Sequence, residues 1–367
     1  MLMENTWNLY ALNKEAWKAI LSDCSKAQKS IVLEQFIFVS DDFGQKLIDI
    51  CVERAKAGVK VRFLWDAAGS FSFFGTDIIN DLKSKGIELL FWKTLIPSYF
   101  KIPDIRSWYL RNHRRTLVID GKIGYTGSIC ISDAMKNWRD TNVRMEGAVV
   151  SDMKDAFDRM WQKAQGQRVP RKIYDRRLGV RKKEFAYVTN SPAPGQKMIY
   201  REIVKSIRES RRYIYMTSPY FVPTHRLLRS IRRAAMRGVD VRIIIPEKTD
   251  HYPTLDLAAR SYFSQLLSSG ARIFLYPNID GNLIHSKSII IDDKWSTVGS
   301  LNLDHASLLY NFEANIITSN TRFTEELASH FVHDMNLSKE VSLDEWKSRF
   351  FWEKIPEILI KLVRRFL

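Results

Sequence analysis

Cysteine is scarce in this sequence: three thiols, Cys24, Cys51 and Cys130, in 367 residues. They are too few and too scattered for a disulfide frame or a zinc site, which fits a reducing, cytoplasmic environment. No apolar run reaches the ~18 residues that a spanning helix needs. Met1 to Trp7 show no basic stretch followed by an apolar core, so neither a membrane span nor a secretory leader is expected. Acids are also short. The 41 Asp and Glu stand against 57 Lys and Arg, a net charge of +16. That imbalance points to an anionic partner and admits nucleic acid, an acidic bilayer and a phosphate-bearing substrate alike. What is present is globular: 45% hydrophobic and 27% charged residues leave room for two domains, each with its own core.

Self-comparison shows a repeat. Ser30 to Phe38 reads as a buried strand, followed by a helix from Gly44 to Ala57, Gly58, and the strand Val59 to Trp65. Tyr213 to Phe221, the helix His225 to Arg237, Gly238 and the strand Val239 to Ile245 repeat that order. A further helix–Gly–strand unit follows in each half, at Leu82 to Phe91 and Leu267 to Leu275. Helices alternating with apolar strands predict an α/β fold, a helix-covered sheet in each half. The domains are expected over 1–165 and 186–345. Between them lies a linker over 166–185, of which Arg168 to Lys183 holds eight Lys or Arg and one acid, Asp175.

The repeat carries the chemistry. Asn112-His-Arg-Arg-Thr-Leu-Val-Ile-Asp120 and Ile284-His-Ser-Lys-Ser-Ile-Ile-Ile-Asp292 place His113 and Asp120 172 residues before His285 and Asp292, and Gly127-Ser128 precedes Gly299-Ser300 by the same interval. In extended chain, residues two apart share a face, so His113 lies beside Arg115 and His285 beside Lys287. Two imidazoles flanking one phosphorus suffice for phosphodiester exchange. One attacks as a neutral nucleophile, and the other, protonated, protonates the leaving oxygen. Arg115 and Lys287 then hold the non-bridging oxygens. Asp120 and Asp292 suit the task of orienting the imidazoles through their second nitrogens. Neither a cofactor nor a metal is called for. The remaining His225, His251, His330 and His333 read as structural, and His305 is left open.

Through both halves, over about residues 20 to 340, the chain resembles the phospholipase D superfamily, and within it the bacterial cardiolipin synthases. Besides the two motifs, Trp138 to Gly147 is similar to their segment after the first motif. Gly299-Ser-Leu-Asn302-Leu-Asp304, Ser307 and Asn311-Phe-Glu313 are similar to that after the second. The resemblance implies two homologous α/β domains, each a mixed sheet flanked by helices, with the active site at their interface. It also implies a ping-pong transfer in which a phosphatidyl group passes to His113 and then to the glycerol hydroxyl of phosphatidylglycerol, with His285 as acid and then base. It makes Ser128, Ser300, Asn302 and Glu313 candidates for substrate binding. Three positions depart from the family pattern: Arg115 replaces its Lys, Cys130 its Asn, and Ala306 an Arg.

Apolar, aromatic loops at Phe71 to Phe74, Leu95 to Phe100 and Trp108-Tyr109 favour lipid over nucleic acid, which stays as the alternative substrate. The last segment, 346–367, reads as a basic amphipathic tail. A helix from about Ile355, with Pro356 in its first turn, gathers Ile355, Ile358, Leu359, Leu362, Val363 and Phe366 into a stripe that either inserts in a membrane surface or docks on the second domain. The expected partner is an anionic phospholipid surface, and the expected place the cytoplasmic face of a bacterial inner membrane, held peripherally.

Overall fold

The computed structural model describes residues 4–93, 110–170, 183–250, 253–278 and 282–363. The first half contributes β1 (Thr6–Leu12), β2 (Ser30–Gln35), β3 (Lys60–Asp66), β4 (Ile87–Trp92), β5 (Thr116–Ile119), β6 (Ile123–Gly127) and β7 (Arg139–Glu146). They form one sheet in the order β1-β7-β6-β5-β2-β3-β4. The second half contributes β8 (Phe185–Asn190), β9 (Tyr213–Thr217), β10 (Asp240–Pro246), β11 (Arg272–Tyr276), β12 (Ser288–Ile291), β13 (Trp295–Gly299), β14 (Glu313–Thr318) and β15 (Lys339–Glu340), in the order β15-β11-β10-β9-β12-β13-β14-β8. Each sheet is mixed. β2, β3 and β4 run parallel, as do β9, β10 and β11, and the motif strands β5 and β12 pair antiparallel with β2 and β9. The fold is the two-sheet α/β architecture that the repeat predicts.

The helices are α1 (Asn13–Ser25), α2 (Asp42–Lys56), α3 (Ile78–Ser84), α4 (Val149–Ala164), α5 (Met198–Glu209), α6 (His225–Met236), α7 (Pro253–Arg260), α8 (Phe263–Leu267), α9 (Thr321–Asn336), α10 (Leu343–Ser348) and α11 (Phe351–Val363). α4 shows why the sequence makes a sandwich. Its buried residues Val149, Val150, Met153, Ala156, Phe157, Met160 and Trp161 recur at three- and four-residue steps. They share one apolar cluster with Val32 and Val118 of the first sheet, Ile290 and Ile316 of the second, and Phe323 and Leu327 of α9. α4 and α9 thus lie in a layer common to both sheets. Each large apolar side chain buried there contributes about 1.5–3 kcal/mol, so this core locks the halves together. The outer faces are covered separately, by α1 and α2 on the first sheet and by α5, α6 and α8 on the second.

The basic linker falls largely outside the described residues, as do Leu95 to Phe100, Trp108-Tyr109 and His251. The tail departs from its expected form. Its helix starts at Phe351, which places Pro356 inside it; the proline there forfeits the bond to the carbonyl four residues back, and its ring crowds that carbonyl. The Trp346 ring packs tilted against Phe263, centroids 4.7 Å apart, Arg349 pairs with Glu357 at 2.7 Å, and Ile360 is buried. The helix therefore docks against α7, with the buried Ile360 lying off the expected stripe; the side chains of Leu362, Val363 and Phe366 fall outside the described residues. Ile355, Ile358 and Leu359 face outward with Phe350 and Trp352.

Candidate active site

The C-terminal ends of the parallel strands and the N-terminal ends of β5 and β12 converge on one cavity of about 220 Å³, whose lining includes Phe36, His113, Arg115, Tyr220, Asp250 and His285. The first motif enters β5 through a buried anchor. Arg111 pairs with Asp66, at the end of β3, at 2.5 Å, Asn112 N–H donates to the same carboxylate at 2.8 Å, and the Asn112 amide donates to Glu34 at 2.8 Å. Short parallel bridges stitch each motif to the other half, with His113 N–H on the Phe312 carbonyl at 3.0 Å and His285 N–H on the Arg139 carbonyl at 2.8 Å.

These bridges set a crossed pair of carboxylates. His113 Nδ1 lies 2.9 Å from Glu313 Oε1, and His285 Nδ1 lies 3.1 Å from Asp140 Oδ2. Each imidazole is thus held by an acid from the opposite half. On the other ring nitrogen, Arg115 Nη2 sits 3.1 Å from His113 Nε2 and Lys287 Nζ 2.9 Å from His285 Nε2. Guanidinium and ammonium only donate, so each Nε2 presents a lone pair and each Nδ1 carries the proton, donating it to its carboxylate. Both rings rest neutral with Nε2 unprotonated.

The electrostatics agree. Burial, with Arg115 and Lys287 nearby, holds His113 well below the ordinary imidazole range. His285 falls to about 4 through burial and Lys287, with the Asp140 carboxylate opposing. Behind the rings the two acids differ. Burial favours neutral Asp140, but His285 and Lys287 outweigh it and hold the group at about 2. Glu313 is pushed well above the carboxylate range by burial, with hydrogen bonding from Ser300 opposing. His285 therefore has a firmly ionised partner ready to stabilise an imidazolium, and His113 a weaker one.

Several expected roles need correcting. Asp120 does not touch an imidazole: its carboxylate accepts the N–H groups of Gln28, Lys29 and Ser30 at 2.6–3.1 Å. Asp292 likewise accepts those of Arg211, Arg212 and Tyr213 at 2.7–2.9 Å. Seven extended residues span about 20 Å, which puts each motif Asp at the far end of the strand from its His. There it ties the motif strand to the start of β2 or β9. Glu313 holds His113 instead of substrate, and the Ser300 hydroxyl donates to Glu313. Ser128 is fully buried and does not line the cavity, whereas Asn302 does. The Gly-Ser pairs also act through their glycines. A Cβ on Gly127 would meet Asn142 Oδ1 and the Thr141 carbonyl at 2.5 Å, and one on Gly299 would collide with Asn315 and the Ala314 carbonyl. Only glycine lets these turns approach the strands that carry the two acids.

Sequence reasoning passed over Asp140, yet a signal was there. Asp140, two residues after Trp138, stands 173 residues before Glu313, one residue out of register with the motifs. Of the departures, Cys130 and Ala306 both line the cavity, and Arg115 Nη2 lies 3.5 Å from the Cys130 sulfur. Of the remaining histidines, His225 opens α6, His330 and His333 lie on α9, and none of these or His305 lines the cavity.

Lys287 gives the site a pH dependence. Burial pushes its ammonium down to about 7, with Asp140 opposing and Arg115 adding. It is charged below that pH and loses its proton above it, so a cation serving the phosphoryl oxygens is withdrawn as pH rises. kcat/KM should then fall about tenfold per unit on the alkaline side. Lys287→Arg keeps its charge throughout and should shift that limb upward by more than one pH unit. An alkaline limb unmoved in the variant would assign it to another group.

Comparison with known proteins accords with this geometry. The family model "Cardiolipin synthase, PLD-like domain" matches residues 20–161 and 203–335. The major cardiolipin synthase ClsA of Bacillus subtilis (strain 168) is 31% identical over 98% of this chain and 75% of its own. Cardiolipin synthase A of Wigglesworthia glossinidia brevipalpis is 33% identical over 93% and 70%. Among solved structures, the phosphatidylserine synthase of Haemophilus influenzae Rd KW20 superposes with a TM-score of 0.73 at 13% identity, over 98% of this chain and 95% of that one, a likeness of fold. The two matched motifs, the crossed carboxylates and the family match place this chain in the phospholipase D-like family of cardiolipin synthases.

Proposed function

We propose that the protein transfers a phosphatidyl group between phospholipids, forming cardiolipin from two molecules of phosphatidylglycerol, with the group carried on His113 between the two steps. The observation that supports this best is the pair of neutral imidazoles in one cavity, each with its Nε2 lone pair beside a fixed cation. His113 Nε2 attacks the donor phosphorus, and His285, protonated as the anionic diester binds, gives its proton to the departing glycerol. Asp140 supports that proton exchange by stabilising the imidazolium. Arg115 and Lys287 stabilise the charge that builds on the phosphoryl oxygens, the electrostatic part that a metal supplies in other phosphoryl-transfer sites. In the second step His285 takes the proton of the acceptor hydroxyl, oxygen bonds to phosphorus, and the P–N bond breaks.

We read the working place as the cytoplasmic surface of a bacterial inner membrane. Among the described residues no helix is long and apolar enough to cross a bilayer. Phe71 and Phe74, stacked on each other at 5.2 Å and more than half exposed, sit in the loop after β3 at the cavity end of the sheet. α11, docked on α7, turns Trp352, Ile355, Ile358 and Leu359 outward, while Leu255 of α7 lines the cavity. Apolar side chains on the rim of a protein of net charge +16 suit the interface of an anionic bilayer. The double variant Trp352→Ser/Leu359→Ser should stay folded, because both side chains are exposed, and should sediment at least threefold less with phosphatidylglycerol liposomes. Undiminished binding would make α11 a structural element alone.

The reading is tested by incubating the protein in EDTA with phosphatidylglycerol vesicles and, separately, with single-stranded DNA. Cardiolipin and glycerol should appear in equal amounts, and the DNA should remain intact. DNA cleavage without lipid conversion would replace this reading with a nuclease.

A further inference from the structure

The 172-residue correspondence between the halves breaks where it faces the cavity: Cys130 stands opposite Asn302, and Ser132 opposite Asp304. The first-half wall, with Phe36, Ile37, Cys130 and Met135, is largely apolar, while the second-half wall holds Asn302, Asp304 and Asp250. Asn302 is 2% exposed, and its Oδ1 has no hydrogen-bond partner. Asp304 accepts the Ser307 N–H at 2.7 Å. Asp250 accepts the Tyr220 hydroxyl at 2.7 Å, and the Tyr220 ring lies edge-on to His285 with centroids 6.5 Å apart. A cavity suited to a phosphate anion thus carries two carboxylates and an orphaned amide oxygen on one side, next to the proton-handling histidine. Such acceptors are costly beside an anion unless a hydrogen-bond donor comes between them.

We infer that this wall is the acceptor subsite and that Asp250 and Asn302 select a polyol, an alcohol with hydroxyls on adjacent carbons. The inference rests on the phosphatidyl-transfer reading and adds which residues choose the alcohol. One hydroxyl lies at His285 Nε2, gives its proton there and attacks phosphorus; the new O–P bond forms as the P–N bond to His113 breaks, and its electron pair returns to the His113 ring. The neighbouring hydroxyl donates to Asp250 and to Asn302 Oδ1. Because Tyr220 joins Asp250 to the surroundings of His285, holding the second hydroxyl sets the position of the first. An amino alcohol would also seek carboxylates. Yet Lys287 already lies within Coulombic reach of both Asp250 and Asp304, and Arg115 faces the same cavity, its guanidinium over the Phe36 ring at 5.8 Å. A third cation meets their repulsion, and a neutral polyol does not. Free glycerol and the glycerol headgroup of a lipid offer the same pair of hydroxyls.

A competition assay tests this. Phosphatidylglycerol vesicles are the donor, with deuterated glycerol, 1-propanol and ethanolamine present at equal concentrations, and the lipid products are resolved by mass spectrometry. The unaltered protein should form deuterated phosphatidylglycerol and cardiolipin together at least tenfold over phosphatidylpropanol, with phosphatidylethanolamine lowest. Asp250→Asn and Asn302→Leu should each lower the polyol-to-propanol product ratio tenfold or more. The ratio is internal, so it is read whatever the total rate, and two variants guard against one failing to fold. A fall confined to deuterated phosphatidylglycerol, or to cardiolipin, names the free or the lipid-borne glycerol as the subsite's occupant. Ratios unchanged in both variants, no preference for glycerol in the unaltered protein, or phosphatidylethanolamine as the main product would each overturn the assignment. A protein that converts no phosphatidylglycerol with any acceptor contradicts the phosphatidyl-transfer reading, and the subsite falls with it.

Discussion

Asp140→Asn and Glu313→Gln should each lower kcat by about 10²- to 10⁴-fold without unfolding the protein, while Asp120→Asn and Asp292→Asn should leave kcat within a few-fold and lower thermal stability instead. The contrast follows from where the four carboxylates lie. Asp140 and Glu313 sit 3.1 and 2.9 Å from the Nδ1 atoms of His285 and His113. An amide there can present its NH₂ to the ring and favour the tautomer whose proton lies on Nε2, which removes the lone pair that the chemistry uses; in hydrolytic triads that exchange costs about 10⁴ in kcat. Asp120 and Asp292 instead gather backbone N–H groups at the opposite ends of the motif strands. Both residues adopt a left-handed backbone, φ 54°, which Asn tolerates, so the substitution removes charge with little added strain. Losing the charged acceptor from such a cluster costs on the order of 2 kcal/mol of stability. Steady-state kinetics beside thermal melts of the four variants separate the two classes. If Asp120→Asn or Asp292→Asn abolished turnover at unchanged stability, the crossed arrangement would not be what orients the rings.

The motif aspartates also mark how far the sequence alone could be read. Local pattern was enough for the repeat, the alternation of helix and strand, and the pairing of His113 with Arg115 and His285 with Lys287, because each depends on spacings of two to four residues or on one constant interval. The partners of the imidazoles depend on how the two sheets approach each other. His113 and Glu313 are 200 residues apart, and His285 and Asp140 are 145 apart, so no local periodicity joins them. An acid inside the same motif was the nearest candidate in sequence but lies at the wrong end of the strand. The tail shows the same limit. Its apolar stripe at Ile355, Ile358 and Leu359 was legible, but which face docks is decided by the Arg349–Glu357 pair and by Ile360 against α7. Tyr220 and Asp250 carried no motif at all; they reach the cavity because they follow parallel strands β9 and β10, whose C-terminal ends form its rim.

His113→Ala and His285→Ala should each cost at least about 10³-fold in turnover on phosphatidylglycerol, since each removes a different step and neither ring can do both. Circular dichroism should show both variants folded. The two losses are expected to look alike on a natural donor and to part on an activated one. A p-nitrophenyl phosphatidyl ester has a leaving group that departs without a proton, so His285→Ala should still complete the first step and then stall, lacking the base that activates the acceptor. The most direct test of a single site shared by the two halves is therefore a burst experiment on His285→Ala with that ester, followed by peptide mass spectrometry under neutral conditions that preserve phosphoramidates. The predicted result is about one equivalent of nitrophenol per protein, a phosphatidyl adduct on the peptide bearing His113, and no adduct in His113→Ala. An adduct on His285 in the His113→Ala protein, or steady turnover of the ester with no adduct on His113, would contradict it.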